Sequence, residues 1–381
     1  MFINNIFLPK TGCKGNCFYL KKKRKKRIIL KLNHSKQSSF SLEALQKDLL
    51  HWYDENHRSL PWRDTRDPYK IWLSEIILQQ TRVEQGLPYY LHFIETYPTV
   101  QDLASAKEEQ LMKSWEGLGY YSRARNLHFS AKYIVYELNG QFPKTHEGIL
   151  KLKGVGPYTA AAIASFAYQI PVALVDGNVY RVLSRLFAIE ESIDETIGKK
   201  VFQSKADEFL NKQKPDDHNQ ALMELGAMVC TPKNPQCDLC PFQSRCPSQE
   251  TWTLRPVRTK KVKVRNRYFD FFLFLHGDEV LIEKRNDKDI WASLNQFPLI
   301  ESPQSHLKSV KNQFQREYEL VESSEVFKHI LTHQRIYAKF HVCRVQESFE
   351  TSTEQQWIPF QSISKLAFPK LILNYLETYS I

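Results

Sequence analysis

Two carboxylic acids and one group of cysteines stand out for the chemistry their surroundings would allow. Glu75 lies in Trp72-Leu73-Ser74-Glu75-Ile76-Ile77-Leu78-Gln79-Gln80-Thr81, with Ile71 and Trp72 one helical turn before it and Leu78 and Gln79 one turn after. A carboxyl embedded there is desolvated, which raises its pKa and lets it hold a proton near neutrality, as a general acid must. Asp176 sits in Leu174-Val175-Asp176-Gly177-Asn178-Val179, just before a segment whose Val179, Val182, Leu183 and Leu186 repeat at helical spacing. At a helix N-terminus it is expected to stay ionised and to stabilise developing positive charge. Two carboxyl groups in opposed environments suit cleavage of a glycosidic bond, one protonating the leaving group and one supporting an oxocarbenium-like sugar. Each also has a plain structural role open to it, Glu75 at the edge of an amphipathic helix and Asp176 as a helix cap.

Cys230, Cys237, Cys240 and Cys246 form C-x6-C-x2-C-x5-C, four thiols within 17 residues able to surround one metal centre. Zinc and a [4Fe–4S] cluster both accept four cysteines, although the spacing is unlike the paired C-x2-C of common zinc sites. Leu152-Lys153-Gly154-Val155-Gly156-Pro157-Tyr158-Thr159-Ala160 places two glycines between helical segments, so that backbone amides can approach a phosphate at a helix N-terminus. The alternative is a helix ended by glycine and a turn.

These groups must be positioned by a chain of 381 residues, 42% hydrophobic and 25% charged, long enough for two or three domains. Its formal charge is +11, but residues 1–42, which include Lys21–Arg27, hold eleven basic residues and no acidic one; the remaining chain carries as many basic as acidic residues. Residues 1–42 read as a basic, disordered extension, with Cys13 and Cys17 as free thiols, or as a DNA-binding or targeting arm. No apolar run reaches membrane-spanning length and no signal peptide is recognisable, so an intracellular, cytoplasmic or nucleoid location and no membrane partner are expected.

Residues 43–250 show helical periodicity and read as all-α, with Asp67-Pro68, Pro143 with Thr145, and Pro157 marking helix starts. Residues 251–267 carry seven basic residues and no acidic one and read as a linker suited to tracking phosphates. Beyond it, Tyr268–Leu275 and Glu279–Lys284 joined by His-Gly-Asp form a hairpin signal and Ile336–Val342 a further strand, which makes 268–381 an α+β domain. The fold class expected is multidomain, α and α+β.

The cysteine spacing, preceded by a helix and the Gly-Val-Gly hairpin, resembles the iron–sulfur loop of the endonuclease III superfamily of helix-hairpin-helix DNA glycosylases. The resemblance implies a [4Fe–4S] cluster on the four cysteines, a six-helix module over about 68–173 and an iron–sulfur module made of about 43–67 with 174–250. Where bifunctional members carry a Schiff-base lysine, two residues after the second hairpin glycine, this chain has Tyr158, and a phenol cannot form an imine with the sugar. A monofunctional glycosylase is expected.

Leu60-Pro61-Trp62-Arg63, Asp67-Pro68-Tyr69, Trp72–Thr81, Gly117–Leu127 and Asn219-Gln220-Ala221, with the extra C-terminal domain, are similar to the MutY-type branch, the adenine DNA glycosylases. That resemblance covers about 43–381. It implies a monomer acting on duplex DNA that holds an adenine mispaired with 8-oxoguanine or guanine, no protein partner being named by it. Glu75 would protonate adenine N7, Asp176 would stabilise the sugar cation or a covalent sugar intermediate, and Tyr158 and Asn178 would support the site. Arg58, Trp62 and Gln220 would line the adenine pocket, and Gln80, Thr81, Leu118 and Tyr120 would meet the opposite base, with Tyr120 as a wedge. Gly154 and Gly156 would hold phosphate, while Arg123 and Arg125 read as solvated or phosphate-facing. Tyr120 and Tyr121 could also be ordinary core aromatics.

The C-terminal domain resembles a Nudix-like recognition fold without a Nudix box, Arg316-Glu317 alone not making one, so it should not hydrolyse nucleotides. Its Leu331-Thr332-His333 stands where the branch uses Phe-Ser-His, which implies contacts from Thr332 and His333 to 8-oxoguanine and puts the stacking share of Leu331 in question. A thymine-mismatch glycosylase and a catalytically silent DNA-binding iron–sulfur protein are the alternatives.

Overall fold

The computed structural model describes residues 41–260, 263–285, 289–311, 313–314, 317–348 and 351–378. The basic run Lys21–Arg27, Cys13, Cys17 and Arg316 lie outside the described residues. Among those described, everything before Arg265 is helix, turn or loop: α1 (Leu42–Asn56), α2 (Pro68–Ile77), α3 (Val83–Thr96), α4 (Val100–Ser105), α5 (Glu108–Ser114), α6 (Ser122–Glu137), α7 (His146–Leu150), α8 (Pro157–Tyr168), α9 (Gly177–Leu186), α10 (Thr196–Phe209) and α11 (Pro215–Met228). Their starts are set by side chains that satisfy orphan amides: Asp67 accepts from the Tyr69 amide, Thr145 from Gly148 and Asp176 from Val179. Proline at the first position of α2 and α8 loses no hydrogen bond there.

These helices enclose two apolar cores. One joins α2, α3, α4, α6 and α8 through Ile71, Trp72, Phe93, Leu103, Leu127 and Ile163, with Trp115 after α5. The other joins α1 to α9, α10 and α11 through Leu49, Leu183, Phe202, Phe209 and Leu225. The chain therefore leaves α1, crosses the first core through α8, and returns to the second, and the end of α2, the start of α8 and the start of α9 line one pocket.

The C-terminal part is a mixed sheet of β1 (Arg265–His276), β2 (Glu279–Lys284), β3 (Asn295–Gln296), β4 (Leu299–Ser302), β5 (Glu319–Ser323), β6 (Phe327–Ile330), β7 (Gln334–Arg344) and β8 (Gln355–Pro359), followed by α12 (Lys370–Thr378). Its path runs β3-β2-β1-β7-β5, with β1 and β7 parallel from Arg265↔Gln334 to Leu275↔Arg344. Helix α12 covers one face through Leu371, Ile372 and Tyr375. Leu307, Val310 and Phe314 cover the other over Phe272 and Phe274.

Two features differ from the sequence expectation. Strand β1 begins at Arg265, inside the stretch read as linker, and Arg267 is buried in ion pairs with Asp289 (2.6 Å) and Glu301, so it cannot track phosphate. The rest of that stretch is pinned to the helical part: Ile193 donates to the Val257 carbonyl (3.1 Å) and the Thr259 amide to Asp194 (3.1 Å). The helical and β parts also share packing. Leu294 and Ala367 belong to the first helical core, Arg125 donates to the Ala292 carbonyl (2.5 Å), and Glu116 accepts from the Phe368 amide (3.1 Å).

Candidate active site

Glu75 projects from α2 into a pocket closed by the start of α8 and the cap of α9. It is 6% exposed, and burial pushes its pKa up to about 7, with the nearby Asp176 carboxyl adding to the rise. The Tyr158 hydroxyl, on the first turn of α8, donates to Glu75 Oε2 at 2.7 Å and restrains that shift. Burial beside two carboxyls in turn raises the phenol well above its ordinary value, so Tyr158 remains a donor.

Asp176 caps α9, accepting from the Val179 amide (2.7 Å) and from Asn178 Nδ2 (2.9 Å). The sequence expectation, that its place at a helix N-terminus keeps it ionised, did not include the burial that the fold imposes. Burial raises its pKa, and the Val179 and Asn178 amides, the Asn178 side chain and the charge of Arg181 pull against that rise. The Asn178 amide is itself oriented: Arg181 donates to Asn178 Oδ1 (2.8 Å), to the Gly226 carbonyl (2.6 Å) and to the Cys230 carbonyl (2.6 Å). Gly226 has to be glycine, since a Cβ there would stand 2.7 Å from Asn178 Cβ.

Arg58, Trp62, Gln80 and Thr81 line the same pocket. Two further residues in it were not legible in the sequence, Met223 and Glu224, both on the face of α11 that points inward. Glu224 is 1% exposed. Burial pushes its pKa up, but hydrogen bonds from Arg58 Nε (2.7 Å) and Arg63 Nη2 (2.7 Å) outweigh this and hold it at about 2. The pocket thus has a proton-bearing carboxyl on one wall and a fixed carboxylate holding two guanidiniums on another. Gln220, expected with them, is not among the lining residues; its amide oxygen lies 3.3 Å from the Tyr53 hydroxyl, one turn of α11 away from Glu224.

A second cleft opens between the helical and β parts, where Leu118, Tyr120, Thr332 and His333 come together. Gln80 and Thr81, expected with Leu118 and Tyr120, line the catalytic pocket instead. Tyr120 is exposed, takes a left-handed backbone conformation (φ 47°) and sits with its hydroxyl 2.7 Å from Thr332 Oγ1. Tyr121, by contrast, is a core residue. Leu118 is largely buried and closes the floor of the cleft.

The two arginines read as solvated or phosphate-facing both have partners within the protein, Arg123 buried and Arg125 half-buried. Arg123 is buried and donates to the carbonyls of Ile76, Ile77, Gln79, Leu118 and Gly119, while Arg125 reaches Ala292. The hairpin itself is exposed at Gly154 and Gly156 and anchored by buried Val155. Gly154 is at φ 83° with Asn126 Cβ 2.7 Å from where its own Cβ would be, so glycine is required twice over.

Cys230, Cys237, Cys240 and Cys246 ring one cavity with Arg185 and Trp252. Arg185 Nη1 lies 3.3 Å from the Cys230 sulfur, a cation suited to the negative charge that metal-bound thiolates carry. Four thiols lining one cavity, with no aspartate or glutamate among its lining residues, are a donor set that fits an iron–sulfur centre.

Comparison with known proteins agrees with this geometry. Residues 73–208 match the HhH-GPD superfamily of base excision DNA repair proteins, 230–246 the iron–sulfur binding domain of endonuclease III, and 271–378 the NUDIX domain. The chain is 34% identical over 294 residues to an adenine DNA glycosylase of Buchnera aphidicola subsp. Baizongia pistaciae, covering 76% of this chain and 83% of that one. It is 43% identical over 237 residues to the adenine DNA glycosylase of Mus musculus and 44% over 216 to that of Homo sapiens, spanning 46% and 40% of their lengths and 59% and 54% of its own. A solved thermostable thymine-DNA glycosylase, 29% identical, superposes with a TM-score of 0.51 over 55% of this chain and 96% of its own. With the hairpin, the cysteine loop and the β domain all matched, the chain belongs to the adenine DNA glycosylase family, enzymes that cleave N-glycosyl bonds, and carries its iron–sulfur and Nudix-like parts.

Proposed function

We propose that this enzyme removes adenine mispaired with 8-oxoguanine or guanine from duplex DNA, initiating base excision repair without cutting the strand. The observation that carries the proposal is the pairing in one pocket of Glu75, whose pKa stands at about 7, with Asp176, held by amides at the N-terminus of α9. Glu75 delivers its proton to N7 of the extruded adenine, with Tyr158 keeping the carboxyl aimed. Asp176 faces the sugar as positive charge develops there, and Asn178 fixes its orientation. Arg58, Trp62 and Glu224 form the wall against which the base lies. No amine stands at position 158, so the abasic sugar is left intact.

The backbone of Gly154 and Gly156 holds phosphate, Tyr120 enters the duplex as a wedge, and Thr332 with His333 reads the opposite base. Cys230, Cys237, Cys240 and Cys246 hold a [4Fe–4S] cluster, which organises the loop that also anchors Arg181. The working unit is a monomer inside the cell, divided into a helical catalytic part up to about residue 250 and a recognition part from β1 onward. The recognition part lacks the acidic box needed for nucleotide hydrolysis.

Among the matched structures is a thymine-DNA glycosylase that covers 55% of this chain, so the mispair decides between the two activities. Duplexes holding A opposite 8-oxoguanine, A opposite G and T opposite G should show base loss from the first two alone, visible as strand cleavage only after alkali. Glu75→Gln and Asp176→Asn should each abolish it while keeping duplex binding. Excision of thymine, or near-normal turnover in either variant, would overturn the proposal.

A further inference from the structure

The cleft that takes the base opposite adenine, on the reading above, needs a flat apolar surface as well as polar contacts, because a purine pulled against a protein loses one of its stacking neighbours. The loop nearest to hand offers only Leu331 beside the exposed Thr332 and His333. Across the same cleft stands Trp291, which nothing in the sequence had singled out.

Trp291 is built into place rather than left on the surface. Its backbone is left-handed (φ 61°), a conformation that bulky residues rarely adopt and that persists only where surrounding structure enforces it. Phe269 meets its ring edge-on with centroids 6.2 Å apart and His329 at 5.7 Å, and the buried Arg285 guanidinium lies 5.8 Å over it. The chain around it is tied to both parts of the molecule: Leu294 donates to the Trp291 carbonyl (3.1 Å), and Arg125 of α6 holds the next carbonyl, Ala292, at 2.5 Å. A half-buried indole fixed in this way is a preorganised stacking surface, losing little freedom when a base arrives.

We propose, resting on the assignment of this cleft to the opposite base, that Trp291 is the stacking platform for an oxidised purine and a determinant of specificity. Guanine and 8-oxoguanine differ only at N7 and C8, the former presenting an N7 acceptor, the latter an N7–H donor and an O8 acceptor. Thr332 and His333 can sense that edge only if the purine plane is held still beside them. Trp291 holds the plane, and the polar pair reads the edge. The aromatic surface therefore comes from the loop after β2, and Leu331 need not supply it.

The test is the ratio of excision rates for A opposite 8-oxoguanine and A opposite G, measured in one buffer with the full chain. Trp291→Leu, which keeps apolar bulk and removes the ring, should lower that ratio about tenfold, and Trp291→Phe should restore most of it. A direct readout accompanies the rates. Duplex holding 8-oxoguanine opposite a non-cleavable adenosine analogue should quench tryptophan emission in the wild type, and that component of the quench should be missing in Trp291→Phe. An unchanged ratio in Trp291→Leu while Thr332→Ala with His333→Ala lowers it would overturn the platform and leave the reading of the cleft standing. An unchanged ratio in both would bring down the two together. If Trp291→Leu fails to fold, Trp291→Phe decides: a wild-type quench retained in that variant would refute stacking.

Discussion

Replacing Tyr158 by Phe isolates the contact on which the acid function of Glu75 depends. In the folded protein two opposing effects act on that carboxyl. Burial favours the neutral form and pushes the pKa up to about 7, while the Tyr158 hydroxyl, donating at 2.7 Å, favours the ionised form and pulls it down. A hydrogen bond to a charged group contributes about 1.5–3 kcal/mol, and one pH unit corresponds to about 1.4 kcal/mol. Deleting the hydroxyl should therefore move the Glu75 pKa upward by about one to two pH units, since the lost donor stabilised the charged state. The measurement is the second-order rate of adenine release at sub-saturating substrate from about pH 5.5 to 9.5, which reports groups of the free enzyme. Wild-type activity should decline as pH rises through about 7, where Glu75 loses its proton. In Tyr158→Phe the decline should begin at about pH 8 or above, whatever the height of the plateau. A limb that stays in place or moves to lower pH would show that Glu75 is not the titrating acid or that Tyr158 does not hold it.

The same carboxyl also sets a pH dependence of stability. Its folded pKa is raised from 4.5 to about 7, so its favourable share is fully present only below pH 4.5 and is lost as pH rises through 7; Glu75→Gln should leave stability nearly unchanged at about pH 3.5 and add about 3 kcal/mol at pH 9 by urea unfolding. Arg123→Met strips the donor from five carbonyls and should cost about 3 kcal/mol in the same assay, with excision reduced alongside; a cost under about 1 kcal/mol would mean water replaces the guanidinium freely. Protein purified without oxygen should be brown and contain iron and sulfide, and elemental analysis giving stoichiometric zinc instead would remove the cluster assignment.

Features decided within one turn of chain were readable beforehand. The capping carboxylate of Asp67, the hydroxyl of Thr145 and the prolines at positions 68 and 157 act on neighbours two or three residues away, and the helices start where they say. Glu75 was legible because apolar residues flank it on both turns, and those flanks do bury it. What escaped depends on partners distant in sequence. Arg123 looks like a surface cation until the carbonyls left unpaired at the end of α2 are brought beside it. Glu224 looks like the solvent face of α11 until Arg58 and Arg63, more than 160 positions earlier, arrive to hold it. Arg267 reads as the end of a basic run but meets Asp289 and Glu301 once β1 pairs. The raised pKa of Asp176 has the same origin, since only the folded chain closes over it.

Arg123 has one more implication, for how this protein can change over generations. Gln80 and Tyr120, the residues at φ 57° and 47° beside the two clefts, each follow a carbonyl that this single guanidinium grips, Gln79 on one side and Gly119 on the other. Their loops stand about forty residues apart in the chain, one after α2 and one before α6, yet share one fastener. A residue inserted into either turn would drag that carbonyl out of reach and loosen the other turn with it. The two loops are thereby bound to a common length: sequence can drift within each, but insertions and deletions in the segments 78–81 and 117–121 should be rejected together, as though the protein kept a gauge of fixed span between the strands it handles.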